Sequence, residues 1–357
     1  MDIVSMILYL TIVLSVLVFV HEGGHYLAAR AFGVRVTEFM LGLPGPSIGF
    51  TKNGTRFGVT AVPLGGYAKV CGMEPGEENP HIEAALAFAY ERGTVYADDL
   101  AAELDISLDD ACEVLYVLED WGCLVGPKKS DEHNIFRTRA IQDKKRGIDL
   151  AEGTPRPFDD AHELYLGERK QTYRALPFWK RSVILLAGIF MNLVVAIVFL
   201  VIAYSVIGVD ILDEAGVVQQ HITLTPWESI QAGVTYIGMV VQAVAGLFNP
   251  ATAAETVSGS TSIMGMAVMS KMYADAGFAM FLQFMAMISV SLGIMNLLPI
   301  PPLDGGRFVI EIFQKISRKT VGYKAMNYLS IAGMTLFIGF FIIMLNQDIQ
   351  RFIFGNW

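Results

Sequence analysis

The sequence predicts a polytopic membrane protein: an all-α core of four transmembrane helices, a β-hairpin after the first of them, and a small α+β domain inserted before the second. Three observations carry this reading. Of 357 residues, 53% are hydrophobic and only 17% charged, with a mean hydropathy of +0.47, values too apolar for an ordinary soluble domain. Four apolar stretches, 4–31, 182–208, 277–298 and 328–346, are each near or above the roughly twenty residues that cross a bilayer. Between the first two lies a long polar segment with helical and strand patterns of its own.

The first stretch lacks the basic leader of a cleavable signal peptide and contains His21-Glu22-Gly23-Gly24-His25. H-E-x-x-H on a helix sets two imidazoles on one face, so both can meet one metal ion while Glu22 lies beside a reacting water. Ionisable side chains at membrane depth cost about 2.5 to 3.5 kcal/mol each on insertion scales, so they point to function. Gly23 and Gly24 each cost about 1 kcal/mol relative to Ala in mid-helix. They suit the close approach of another backbone, whether that of a substrate or of a neighbouring helix.

Residues 47–71 read as a hairpin, with Asn53-Gly54 as the tight turn and Phe50, Phe57, Val59, Val62 and Val70 around it. In the insertion, roughly 81–175, apolar spacing predicts helices over 83–92, 97–104 and 109–121, with Ser107 and Asp109 as start signals and Gly122 as a stop. Residues 124–127 and 134–136 suit a short hairpin, and three helices with a wing make a winged-helix-like domain over 81–145. Its third helix presents Asp109, Asp110, Glu113, Glu119 and Asp120, which disfavours nucleic acid and favours a cytoplasmic protein partner. Residues 146–178 read as a solvated linker. The chain thus divides into 1–80, 81–145, 146–178 and 179–357.

The second and third spans carry Asn192 and Asn296, amides that want partners in an apolar region; a helix–helix hydrogen bond would satisfy either. A further apolar stretch, 229–248, is broken by Gly and Gln and reads as an interfacial helix. After the third span come Pro299, Pro301 and Pro302, which cannot continue a helix. Irregular backbone at this depth requires a protein or watery surround. Asp304 then either caps the next helix or faces that cavity as the third protein ligand a catalytic zinc needs.

Net charge is −9, and its distribution orients the chain. Arg30, Arg35, Lys52, Arg56 and Lys69 follow the first span, Arg169, Lys170, Arg174, Lys180 and Arg181 precede the second, and Arg307, Lys315, Arg318, Lys319 and Lys324 separate the third and fourth. Only Lys271 lies between the second and third. This places 32–181 and 305–325 in the cytoplasm and both termini outside a cytoplasmic membrane. Cys71, Cys112 and Cys123 then sit in a reducing compartment, where a disulfide framework is not expected.

The pair formed by HEGGH and Asn296-Leu297-Leu298-Pro299-Ile300-Pro301-Pro302-Leu303-Asp304-Gly305-Gly306 resembles the site-2 protease family of intramembrane zinc metalloproteases, peptidase family M50, most closely its RseP/RasP-like group. Gly188-Ile189-Phe190-Met191-Asn192 resembles the family's G-x-x-x-N element. Pro63-Leu64-Gly65-Gly66-Tyr67 resembles its membrane-re-entrant hairpin, and residues 258–263 the stretch before its third span. The resemblance covers 1–75 and 175–355. It implies Zn2+ held by His21, His25 and Asp304, Glu22 as general base, Asn296 holding substrate backbone and Asn192 assisting the oxyanion. It also implies that single-span membrane proteins, such as anti-sigma factors or remnant signal peptides, are cut within the lipid bilayer. An unwound substrate segment must keep its backbone groups paired there, and a strand edge beside Gly65 and Gly66 could accept it.

The PDZ domains that this group carries between its second and third spans have no counterpart in residues 209–226, which are too few to fold alone. A rival reading is a membrane-anchored sensor with a structural or inactive zinc site that acts through the insert. Intact Glu22 argues against it, since a structural site needs no base. A transporter would show polar residues along several spans or an internal repeat, and the sequence has neither.

Overall fold

Asp2 caps α1 (Ile3–Ala31) by accepting the Val4 amide, and the helix carries HEGGH in its second half. A computed structural model describes residues 2–62, 65–73, 79–128, 131, 134–143, 148–212, 218–352 and 354. Beyond α1 the chain forms β1 (Val36–Leu41), β2 (Ser47–Lys52), β3 (Thr55–Thr60) and β4 (Gly66–Val70). These make one sheet in the order β2-β3-β1-β4, with β1 parallel to β3 and antiparallel to β4. Asn53 and Gly54, at φ 51° and 80°, form the expected two-residue turn between β2 and β3. The remainder of 47–71 departs from a plain hairpin, because β1 inserts between β3 and β4. Pro63 and Leu64 lie outside the described residues.

The insert comprises α2 (Ile82–Arg92), β5 (Thr94–Tyr96), α3 (Ala97–Leu104), α4 (Leu108–Asp120), β6 (Leu124–Val125) and β7 (Ile135–Thr138). Ser107 caps α4 by accepting the Asp110 amide, as its position suggests. The strands form a sheet ordered β5-β7-β6, and Leu86, Leu100, Leu115, Leu118, Leu124 and Phe136 fill one apolar core.

The stretch expected to be a linker carries structure of its own. Within it β9 (Ile148–Leu150) pairs with β8 (Ile141–Asp143), which lies just before it, and α5 (Ala161–Arg169) is capped by Asp160, whose side chain accepts the Glu163 amide. Leu164 and Tyr165 pack on the insert's core. A nine-residue helix with no fully buried residue is too short for its periodicity to stand out.

α6 (Phe178–Val201) continues as a wider π-helical turn through Ile202–Ile207. A hairpin of β10 (Val209–Leu212) and β11 (Val218–Ile222) leads to α7 (Pro226–Gly246). Then come α8 (Ala253–Gly259), α9 (Ile263–Asp275), α10 (Phe278–Asn296), α11 (Asp304–Ser317) and α12 (Tyr323–Phe352).

Five of the described helices, not four, are long and apolar enough to cross a membrane: α1, α6 with its extension, α7, α10 and α12. The additional one is α7, over the stretch that the sequence suggests as an interfacial helix. It starts with a capping box at Thr225 and Glu228, and Tyr236, Ile237, Val240 and Val244 pack against the α6–α10 cluster of Ala196, Leu200, Ala286, Val290 and Ile294. The glycines and glutamines that interrupt its hydropathy do not break the helix. Five crossings would put the termini on opposite faces, so the expectation of both outside holds only for four.

The insert is joined to the membrane part where β1 begins and β4 ends, side by side at one end of the sheet. Arg35 Nη2 donates to Glu168 Oε2 at 2.7 Å and Nη1 to the Trp121 carbonyl at 3.1 Å. The Tyr90 hydroxyl donates to Glu168 Oε1 at 2.8 Å. The Gly72 amide donates to the Asp120 carbonyl. Burial alone would raise the Glu168 carboxyl, but the Arg35 charge and these hydrogen bonds outweigh it and hold it below its ordinary value.

Candidate metal centre

α1 packs on α6 through small residues. A Cβ on Gly24 would strike the Ala187 carbonyl, and one on Gly188 would strike His25 Nε2 and come 2.9 Å from His21 Cε1. These glycines therefore let the two helices touch backbone to backbone and leave the imidazoles between them. A Cβ on Gly23 would meet nothing within 4 Å among the described residues, so of the two adjacent glycines Gly24 is the one placed for helix packing there.

The third member arrives from the far end of the chain. After α10 the proline-rich turn folds back on the start of α11 so tightly that a Cβ on Gly305 or Gly306 would collide with the backbone of residues 297–301. Asp304, in the first turn of α11, is thereby aimed at the histidines, where the helix N-terminus also favours its negative charge.

Asp304 Oδ2 lies 3.0 Å from His21 Nε2 and 3.1 Å from His25 Nε2, and the two Nε2 atoms are 3.3 Å apart. A tetrahedral zinc with ligand bonds of about 2.0–2.2 Å separates its ligand atoms by roughly 3.3–3.5 Å, so the triangle is close to that of a metal site. His21 and His25 side chains are 9% and 11% exposed and Asp304 20%, so the cluster is largely buried.

The outer partners test whether these residues suit a metal. His25 Nδ1–H donates to the Ile184 carbonyl at 2.8 Å, which leaves Nε2 with its lone pair. His21 Nδ1 faces the amide of Asn192, Nδ2 at 3.3 Å, while Asn192 Oδ1 is buried with no partner among the described residues. Turning that amide by half a revolution brings Oδ1 to His21 Nδ1–H and puts Nδ2 where Oδ1 has no partner among the described residues, and nitrogen and oxygen are distinguished only by such bonding. His21 Nε2 is then also a lone pair. Three acceptors converge within 3.3 Å and call for a cation between them. The donor set fits zinc.

The other residues named from the sequence are distributed unevenly. Glu22, half buried, lies beside the start of β4, where a Cβ on Gly66 would come 3.6 Å from its Cγ. Gly65 serves the sheet, its carbonyl accepting the Gly42 amide at 2.8 Å. Asn192 reaches the cluster. Asn296 ends α10 half buried and has no part in the cluster's hydrogen bonds among the described residues. Gly188 and the Ile184 carbonyl were not singled out as site groups from sequence; the G-x-x-x-N spacing carried the only signal for Gly188.

The sequence matches the profile of peptidase family M50 over residues 9–340. Similar full-length proteins carry zinc-metalloprotease names: one from Mesorhizobium japonicum is 30% identical over 92% of this chain and 95% of its own length. One from Agrobacterium fabrum is 27% identical over 96% and 95%, and one from Campylobacter jejuni is 26% identical over 96% and 92%. With the match spanning the helices that supply His21, His25 and Asp304, the chain belongs to peptidase family M50.

Proposed function

We propose that the protein is a zinc-dependent intramembrane endopeptidase of the site-2 protease type, closest to the RseP/RasP-like group, that cuts membrane-spanning segments of single-span proteins during regulated intramembrane proteolysis. The observation that carries this is the convergence of His21 and His25 with Asp304, 279 residues beyond His25, beside Glu22 and the edge strand β4. Zinc held by the three side chains supplies Lewis acidity to a scissile carbonyl and to water. Glu22 accepts a proton from the attacking water and passes it to the leaving amine. Asn192 holds His21 in the tautomer that offers Nε2, so its first role is orientation of that ring. Asn296 and the backbone at Gly65 and Gly66 hold substrate.

β4 is an edge of its sheet, the kind of position to which a strand can be added. A substrate helix unwound along it would keep its backbone paired while one peptide bond is presented to Glu22. The absence of a side chain at Gly66, with Val18 and Met40 crowding the same point, lets that strand run close to α1. The insert, with its three helices and wing, acts as a winged-helix-like module for a cytoplasmic protein partner, in the orientation that puts 32–181 inside.

The test is cleavage of a model single-span peptide in lipid vesicles by the wild type and by Glu22→Gln. The substitution keeps the shape of the side chain and removes the base, so cleavage should fall by about 10²–10⁴-fold while zinc stays bound. Zinc bound by the wild type with no cleavage by either protein would favour the sensor reading instead.

A further inference from the structure

Apart from the glycines at its start, α11 has two buried residues, Ile310 and Glu311. Glu311 brings a carboxylate into the protein, and its contacts lead to two other parts of the fold. Arg181, in the first turn of α6, places Nη1 3.1 Å from Oε2 and donates through it to Oε1 at 3.4 Å. The Tyr173 hydroxyl also donates to Oε1 at 3.4 Å. Oε2 accepts no hydrogen bond among the described residues, so its tie to Arg181 is one of charge. Tyr173 is fastened in turn. Its amide donates to the Cys71 carbonyl, just past β4, at 2.8 Å, and its side chain belongs to the cluster of Val36, Val70, Ile184 and Leu185 on which Phe308 of α11 also packs.

A buried ion pair contributes little net stability, because taking both charges out of water offsets their attraction; its best-attested use is to select one arrangement over others. The surrounding charges strengthen that selection. Arg174 and Arg307 line the same cavity as Glu311, and Arg181 repels Arg174 while Glu311 attracts it. Without the carboxylate, cations on α6, on α11 and on the segment before α6 would face one another. Glu311 stands seven residues beyond Asp304, which on a helix is about 10.5 Å further along and within about 20° of the same face. The glycine turn fixes where α11 begins. A second fixed point two turns on sets its direction, and with it the line along which Asp304 reaches the histidines.

We propose that Glu311 is a positioning residue for the metal centre: its tie to Arg181 and Tyr173 holds α11 against α6 at the angle that brings Asp304 Oδ2 to His21 and His25. An apolar side chain at 311 would fill the volume without selecting that angle. This role rests on the zinc reading of the three side chains; it does not need the cleavage reaction.

The test uses full-length protein in detergent, with zinc affinity measured by competition with a chromophoric chelator and the visible spectrum recorded with saturating Co2+ in place of zinc. Glu311→Gln keeps the size of the side chain and removes its charge. It should weaken zinc about 10–100-fold, as loss of an outer partner does, and alter the Co2+ spectrum even when the site is full. Arg181→Gln should do the same, and the double variant should lose no more than the weaker-binding single one, because both act through one interaction. Tyr173→Phe, which deletes only a hydroxyl, should weaken zinc by roughly two- to ten-fold. Phe136→Ala, which lowers stability in the insert, should leave affinity and spectrum as in the wild type. Wild-type affinity and spectrum in both Glu311→Gln and Tyr173→Phe, additive losses in the double variant, or an equal loss in Phe136→Ala would overturn the proposal. A wild type that takes up no metal would overturn the zinc reading and this role with it, whereas metal bound as described without cleavage would overturn the protease reading alone.

Discussion

In the insert, Leu86, Leu100, Leu115, Leu118 and Phe136 fill a continuous apolar core; where α1 meets α6, the contact is made by Gly24, Ala187 and Gly188. The first arrangement gains stability from side-chain volume removed from water. The second gains almost nothing that way, because lipid is as apolar as the residues it would exclude, and relies on close backbone approach and hydrogen bonds. Each region therefore tolerates a different change: the insert can lose volume and keep its topology, whereas the bundle cannot gain volume at the site.

The largest effect should come from adding bulk where the bundle has none. Gly188→Val forces a branched side chain into the space of His25 Nε2, so zinc content should fall to background and cleavage by about 10²–10⁴-fold. Full zinc occupancy in that variant would show that the helices separate freely, and the contrast with the insert would fail.

Removing bulk from the insert comes next. Phe136→Ala should lower the insert's stability by about 3–5 kcal/mol, seen as earlier proteolysis within 81–145, with zinc content unaltered. Loss of zinc in this variant would mean that the two regions fold as one unit.

The joint between them should give a smaller effect. Glu168→Gln leaves Arg35 short of its charge partner, at a cost of about 2–3 kcal/mol, less than for a fully buried pair. Because the Glu168 carboxyl is held below its unfolded value of about 4.3, its stabilisation is complete above that pH and is lost as pH falls through the folded value. Wild-type docking should weaken on that acid limb, and the Glu168→Gln protein should lack that part of the dependence; identical acid profiles would remove Glu168 from the account. The smallest effect is chemical. Burial pushes the Cys71 thiol up to about 11 and raises Cys123 as well, so both should alkylate more slowly than the half-buried Cys112 at pH 8.

The parts of the molecule written in local pattern could be read directly. HEGGH places its two histidines by helix geometry alone, Asn53-Gly54 dictates its turn, and Ser107 caps its helix. Asp304 could be connected to the histidines because two rare motifs occur together in the chain. What could not be read depends on partners distant in sequence. β1 enters the middle of a sheet through pairing with both β3 and β4, which no local periodicity encodes. α7 is broken in hydropathy but continuous in structure because α6 and α10 cover its apolar face. The link from Asn192 to His21 joins residues 171 apart, and an asparagine in a span announces only that it needs a partner.

Whether one ion is held by two imidazoles of α1 and a carboxylate of α11 can be read from the zinc content of purified protein. The account predicts one zinc per chain in the wild type and in Glu22→Gln, and little or none in His21→Ala, His25→Ala and Asp304→Ala. One zinc per chain retained by Asp304→Ala would contradict it.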